Sequence, residues 1–264
     1  MELLTKLYKT HAPSGDEWNI ICLIMRHVTE HLPGVEVRMD RHGNMYLKKG
    51  DADNYPTLAC HLDQVQKIHS DDFVLKRDGD MLYGWSETNQ RREGLGADDK
   101  NGIWVCLRCL KELPCLKVFM ATGEEKGCIG SNRADMSFFR NSLYVLEPDC
   151  RGGKEIHTTL RGIPCASDEF VADLQAEANG YIITEGKGSD ILALTLNDIG
   201  VSCANIPAGY YLPHKDDEYT ILSELEHTYQ YVKAIIQRLS ERYPHYYRSE
   251  TQKRAEAYMK GSYQ

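Results

Sequence analysis

Histidines and carboxylates in this chain fall just past apolar runs that read as strands: His61 and Asp63 after PTLAC, Glu124 and Glu125 after LKVFMAT, Asp149 after SLYVLEP. The loop GLGADDKNG adds Asp98 and Asp99 immediately before a helical segment, and YYLPHKDDEY adds His214 after another extended run. Two adjacent carboxylates at a strand end are costly unless something positive sits beside them, because desolvating unpaired charge is expensive. Oxygen and imidazole groups without clustered thiolates suit zinc, cobalt or manganese. A set with more carboxylates than one tetrahedral ion can use points to two metals, and two ions about 3.5–4 Å apart need a carboxylate that bridges them. These residue types, in this order, predict a dinuclear hydrolytic site.

The elements that must position them alternate. SGDEWNIICLIMRHVTEHL, residues 14–32, opens with Ser14 and has Glu17 three residues on, a capping-box signature, followed by Ile21, Ile24, Met25, Val28 and Leu32 at helical spacing. VEVRMDRHGNMYLKKG reads as a hairpin turning at Gly43 and Asn44, and FVLKRDGDMLYG as a second one turning at Asp78 and Gly79. KNGIWVCLRCLKEL, SDEFVADLQAEAN and the segment from about Thr220 to Leu239 carry helical patterns; IHTTL, YIITEG and VSCANIPAG are short extended runs. Strands alternating with helices imply an α/β three-layer sandwich with a mixed, largely parallel central sheet, in which a ligand site lies beyond the carboxyl ends of the strands.

Composition narrows the function classes. A net charge of −8 with no concentrated basic surface argues against nucleic acid as a partner. No apolar run approaches the roughly eighteen residues of a membrane span, and MELLTKLYKTHAPSG lacks the continuous apolar core of a secretory signal. Nine cysteines without framework spacing fit reduced thiols, and a cytoplasmic location is expected. Cys106 and Cys109 in WVCLRCL continue an apolar helix face and have no second CxxC, so they read as core.

The series His61-Leu62-Asp63, Gly96-Ala97-Asp98-Asp99-Lys100-x-Gly102, Glu124-Glu125, Asp149 and His214 resembles the co-catalytic zinc exopeptidases, the group containing peptidase T, carboxypeptidase G, aminoacylases and the single-domain zinc aminopeptidases. LGADDKNGI is especially similar to peptidase T, and APSGDE and MDRHGN also match family segments. The resemblance implies two divalent ions, zinc with cobalt or manganese as alternatives. It implies that His61 and Asp149 bind one ion, Glu125 and His214 the other, and that Asp98 bridges them. Asp63 would orient His61 through its second nitrogen, the Asp98–Asp99 peptide bond would be cis, and Glu124 would be the general base. His157 in EIHTT is a rival to His214. His11, His27, His31, His42, His69, His227 and His245 have no partner spacing and read as surface or packing residues.

Peptidase T and carboxypeptidase G carry a second domain between the aspartate ligand and the last histidine. The interval from Asp149 to His214 here is about 65 residues, all needed for predicted elements, so residues 1–264 are expected to form a single catalytic domain with no inserted lid or dimerisation domain. Residues from about 241 to 264 read as a polar extension. Without a lid, substrate recognition falls to loops: SETNQRREG, residues 86–94, with Arg91 or Arg92 for a carboxylate, and Tyr210 and Tyr211 beside His214. The implied activity is an aminopeptidase on short peptides. An amidohydrolase acting on acylated amino acids, or a non-catalytic metal- or peptide-binding homologue, would use the same motifs. The oligomeric state stays open.

Overall fold

The computed structural model describes residues 1–247, so the expected extension at 241–264 lies outside the described residues from 248 onward. The chain opens with α1 (Glu2–Tyr8), α2 (Trp18–His31), β1 (Val35–Met39), β2 (Met45–Lys49) and β3 (Tyr55–His61). There follow β4 (Phe73–Asp78), β5 (Met81–Ser86), β6 (Arg91–Glu93), α3 (Ala97–Glu112), β7 (Leu116–Ala121) and β8 (Ser142–Cys150). The remainder runs β9 (Glu155–Leu160), β10 (Ile163–Pro164), α4 (Asp168–Asp173), β11 (Ile182–Gly186), α5 (Asp190–Leu196), β12 (Cys203–Pro207), β13 (Tyr210–Tyr211), β14 (Tyr219–Ile221) and α6 (Leu222–Arg238).

Nine strands form the central sheet in the order β1-β2-β7-β3-β8-β12-β9-β10, with β11 also paired to β9. The inner four, β7, β3, β8 and β12, are mutually parallel, whereas the β1–β2 hairpin is antiparallel to β7. Parallel strands buried on both faces should be apolar throughout. All residues of β3, β7 and β8 are buried, and successive side chains alternate between two cores. Leu58 and Cys60, Val118 and Met120, and Leu146 face the layer of α1, α2, α3 and α6. Ala59, Phe119, Ala121 and Val145 face Ile191 and Leu194 of α5. The period of two thus produces the three-layer sandwich. β9 to β12 all join this sheet, so the stretch between Asp149 and His214 folds as part of the sandwich and not as a lid.

A second sheet, not foreseen beyond its hairpin, runs β13-β14-β5-β4 with β6 paired to β5. It carries two loops that matter below: β6 leads through Leu95 and Gly96 into α3, and the connection of β13 to β14 holds His214. The loop expected over residues 86–94 therefore contains a short strand.

Several local expectations change. α2 begins at Trp18, not at Ser14: the Ser14 backbone N–H donates to Gln64 O, and Glu17 Oε1 accepts from Gly15 N, so the capping-box residues shape the entry loop instead. Met25 is 37% exposed rather than inward. Ser167 does cap α4, accepting from Phe170 N, but the helix stops at Asp173, and Gln175 takes a left-handed φ of 51° that a continuing helix forbids.

The first hairpin is bound to the end of β7 by one fully buried side chain. Asn44 donates to Asp40 Oδ2 (2.8 Å) and Gly130 O (3.0 Å), and its Oδ1 accepts from Thr122 N (3.1 Å). Gly130 permits this approach, because a Cβ there would stand 2.2 Å from Asn44 Oδ1. Asn44→Ala leaves these buried groups unpaired and is expected to cost about 2–4 kcal/mol, measured as a shift of the urea midpoint at constant slope.

Candidate functional site

The carboxyl ends of β3, β7 and β8 meet the two loops of the second sheet. β3 ends on His61, 1% exposed; Asp149 lies near the end of β8, and a short 3-10 turn after β7 carries Glu124 and Glu125. From the second sheet come Asp98, in the entry to α3, and His214. The Asp98–Asp99 peptide bond is cis, as the resemblance implied.

These side chains converge. His61 Nε2 lies 3.0 Å from Asp98 Oδ1 and 3.4 Å from Asp149 Oδ1. His214 Nε2 lies 3.2 Å from Asp98 Oδ2 and 3.0 Å from Glu125 Oε1. Two sets able to hold an ion result, His61/Asp98/Asp149 and Asp98/Glu125/His214, sharing Asp98 through its two oxygens. Glu124 joins a third such group with His61 and Glu125. Glu125 Oε1 and Asp149 Oδ1 are buried without a hydrogen bond although each lies close to a histidine. Close approach without hydrogen-bond geometry is what ligands aimed at a common point show. Mixed imidazole and carboxylate donors fit divalent zinc, cobalt or manganese.

The electrostatics of these acids favour positive charge among them. Burial and the charge of Asp99 push Asp149 well above the usual carboxylate range, against the pull of His61. Burial, with Asp98 and Glu125 nearby, pushes Glu124 up to about 7 despite the pull of His61. Burial works against a charge on His61, yet Asp149, Asp63 and Asp98 hold its pKa well above the ordinary value. Carboxylates crowded until they favour protonation are discharged by cations placed among them.

Backbone donors fix the acids that do not converge. Asp63 Oδ1 accepts from Glu124 N at 2.9 Å and Oδ2 from Glu125 N at 3.3 Å, while its own carbonyl lies 3.0 Å from His61 Nδ1. The expected link to His61 therefore runs chiefly through the Asp63 carbonyl, with Oδ1 3.5 Å from Nδ1; the carboxylate holds the glutamate turn. Asp99 accepts from His61 N and Gly102 N, and a Cβ on Gly102 would stand 2.4 Å from its carboxylate, which explains the glycine in ADDKNG.

Tyr210, Tyr211, Arg91 and Arg92 are less directly placed. Tyr210 is buried and donates to Asp149 O, so its hydroxyl supports β8. Tyr211 donates to Glu224 and stacks on Tyr219. Arg92 lies 4.4 Å from the Tyr83 ring and donates to Asp217 O at 3.5 Å; Arg91 is exposed. His157 stands on β9 with Nε2 3.6 Å from Cys150 Sγ, and among the described residues it joins no ion-holding group. Cys106 and Cys109 are buried in the core.

Sequence reasoning missed Glu218 and Asp190, both fully buried acids. Glu218 ends the acidic run KDDE, which reads as a solvated face, and Asp190 sits in GKGSD without any periodic signal.

No family model and no curated protein matches the chain. Solved structures do share its fold. An aminopeptidase PepT from Bacillus cereus superimposes with a TM-score of 0.73 at 16% identity, over 89% of this chain and 96% of that one. An aminopeptidase from the archaeon Desulfurococcus kamchatkensis gives 0.68 at 18% identity, over 90% and 94%. The TET1 peptidase of Pyrococcus horikoshii gives 0.67 at 15% identity, over 90% and 99%. The architecture is thus the α/β sandwich of these structures, and the likeness at such identities is one of fold.

Removing Asp63 strands two backbone N–H groups. Asp63→Ala is expected to lower unfolding free energy by about 1–3 kcal/mol in urea denaturation and to weaken zinc binding about 10- to 100-fold in a calorimetric titration.

Proposed function

We propose that this chain is a two-metal aminopeptidase that removes the N-terminal residue of short peptides, with its catalytic machinery carried by a single domain. The carrying observation is the meeting of His61, Asp98, Asp149, Glu125 and His214 in two ion-holding sets that share Asp98, with Glu124 alongside. His61 and Asp149 are assigned to one divalent ion, Glu125 and His214 to the other, and Asp98 to both; zinc is the first choice, with cobalt or manganese as alternatives. The description of the fold's solved relatives as aminopeptidases supports the reading. All nine cysteines are free, which supports a reducing, cytoplasmic setting.

Divalent ions held by these residues would supply Lewis-acid polarisation of a carbonyl and make water more acidic. Glu124 accepts a proton at its carboxylate and returns it to the leaving amine. Asp63 fixes the backbone from which Glu124 and Glu125 project, so that adjacent glutamates serve as base and ligand without exchanging places. With two divalent ions balancing Asp98, Asp149, Glu125 and Glu124, the site carries no net positive charge to attract an anionic substrate end. The nearby basic groups are engaged elsewhere: Lys100 donates to Gln64 and Leu95 O, and Lys126 to Ser14 O. A free N-terminal ammonium therefore suits the site better than the carboxylate of an acylated amino acid. Arg92, already held against Tyr83, remains the candidate for a peptide's far carboxylate.

Protein loaded with zinc, cobalt or manganese is expected to cleave dipeptides, tripeptides and aminoacyl amides and to spare their N-acetylated forms. Glu124→Gln is expected to keep both metal equivalents and to lose about a hundred- to ten-thousandfold in kcat. Wild-type activity in Glu124→Gln would sink the general-base assignment, and cleavage confined to N-acylated amino acids would move the function to an amidohydrolase.

A further inference from the structure

Glu218 lies four positions after His214 in the connection from β13 to β14, is fully buried, and has no part in the reaction described above. Its carboxylate crosses to the other loop of the second sheet. Oε2 accepts from Gly96 N at 2.6 Å and Oε1 from Asp98 N at 3.3 Å. Gln66 Nε2 donates to Oε2 at 3.2 Å, adding the segment that follows β3. Among the described residues no Lys, Arg or His lies within ion-pair distance of Glu218, so its partners are backbone and amide N–H groups.

We propose that Glu218 is a positioning residue that sets His214 in register with Asp98, and so governs binding of the ion assigned to Asp98, Glu125 and His214. This rests on the two-metal reading.

The need for such a tether follows from how unequally the ligands are held. His61 ends a strand paired on both sides, and Asp149 lies in β8 with its N–H donated to Asn205 and its carbonyl bound by Tyr210. Asp98, by contrast, has non-helical backbone angles inside the start of α3, so the regular helix ladder does not fix it. His214 is more weakly held still: its side chain is 49% exposed and its φ is +65°, outside any strand. Apart from the Glu218 carboxylate, its loop is tied by Glu218 N to Lys215 O at 3.2 Å and by Arg92 to Asp217 O. The loops are also in close apposition. A Cβ on Gly94 would stand 2.8 Å from Lys215 O, and one on Gly96 2.7 Å from Gln64 Cδ. One carboxylate thus spans the gap between two ligands that stand on loops beyond the strands of the second sheet, where its ladder no longer aligns them.

The substitution that separates position from packing is Glu218→Gln. It preserves volume but offers one acceptor oxygen, leaving an amide N–H₂ facing a backbone N–H. Calorimetric titration of the metal-free full chain with zinc, repeated with cobalt and followed by visible absorption, reads the two equivalents separately. We expect the first equivalent to bind as in the wild type and the second to weaken by about tenfold or more. Glu218→Asp, which keeps both acceptors on a shorter stem, is expected to fall between. Unchanged binding of both equivalents in Glu218→Gln, or equal weakening of both, overturns the proposal while leaving the two-metal reading intact. A wild-type protein that binds fewer than two equivalents overturns both.

Discussion

Negative charge concentrated at the buried end of a parallel sheet is the constraint on which the rest of this structure depends. Asp98, Glu125 and Asp149 converge with two histidines, and Asp63, Asp99, Glu147, Asp190 and Glu218 are buried too. Such a gathering is unfavourable unless each acid either meets a cation or accepts hydrogen bonds. The chain divides the acids accordingly. Asp63, Asp99 and Glu218 are anchored by backbone N–H groups, whereas Asp149 and Glu125 leave buried oxygens unbonded next to histidine; Glu147 Oε1 and both oxygens of Asp190 are unbonded as well, outside the ion-holding groups. The anchored acids hold backbone, and the unbonded oxygens beside the histidines lie in the groups able to hold an ion.

The anchoring also explains how two sheets make one site. The central sheet supplies His61, Asp149 and, just past β7, the glutamate turn; the second sheet supplies the loops of Asp98 and His214. Neither sheet carries a complete set. Carboxylates bind backbone across the joints: Asp63 joins the end of β3 to the turn after β7, Asp99 joins the α3 entry to His61 N, and Glu218 joins the His214 loop to that same entry. Acids that would otherwise destabilise the site are thereby used to assemble it.

Much of this was legible in the sequence, and the reason differs between parts. The central strands were readable because both faces of β3, β7 and β8 are buried, which demands unbroken apolar runs. His61, Glu125 and Asp149 were readable because each lies at or just after such a run, where a parallel sheet must present it, whereas Asp98 and His214, on loops of the antiparallel second sheet, were marked by the motif order alone. Burial of acids in polar loops leaves no comparable trace. Glu218 sits in KDDE and Asp190 in GKGSD, and only the folded chain shows that these carboxylates are enclosed while Asp216 and Asp217 beside Glu218 are exposed. The start of α2 was misplaced for a related reason: Ser14 and Glu17 have the spacing of a capping box, but the pairing of Ser14 with Gln64, distant in sequence, claims the residues first.

The absence of a lid between Asp149 and His214 shifts the burden of recognition. β9 to β12 complete the central sheet, so that stretch has no spare chain to close over a substrate. Tyr210 is committed to Asp149 O and Tyr211 to Glu224, and Lys100 and Lys126 are turned to neutral oxygens. The polar side chains beside the ion-holding groups are thus engaged within the fold. Any preference of the site must then come from the charge gathered at the ion-holding groups more than from these side chains, which are already held within the fold.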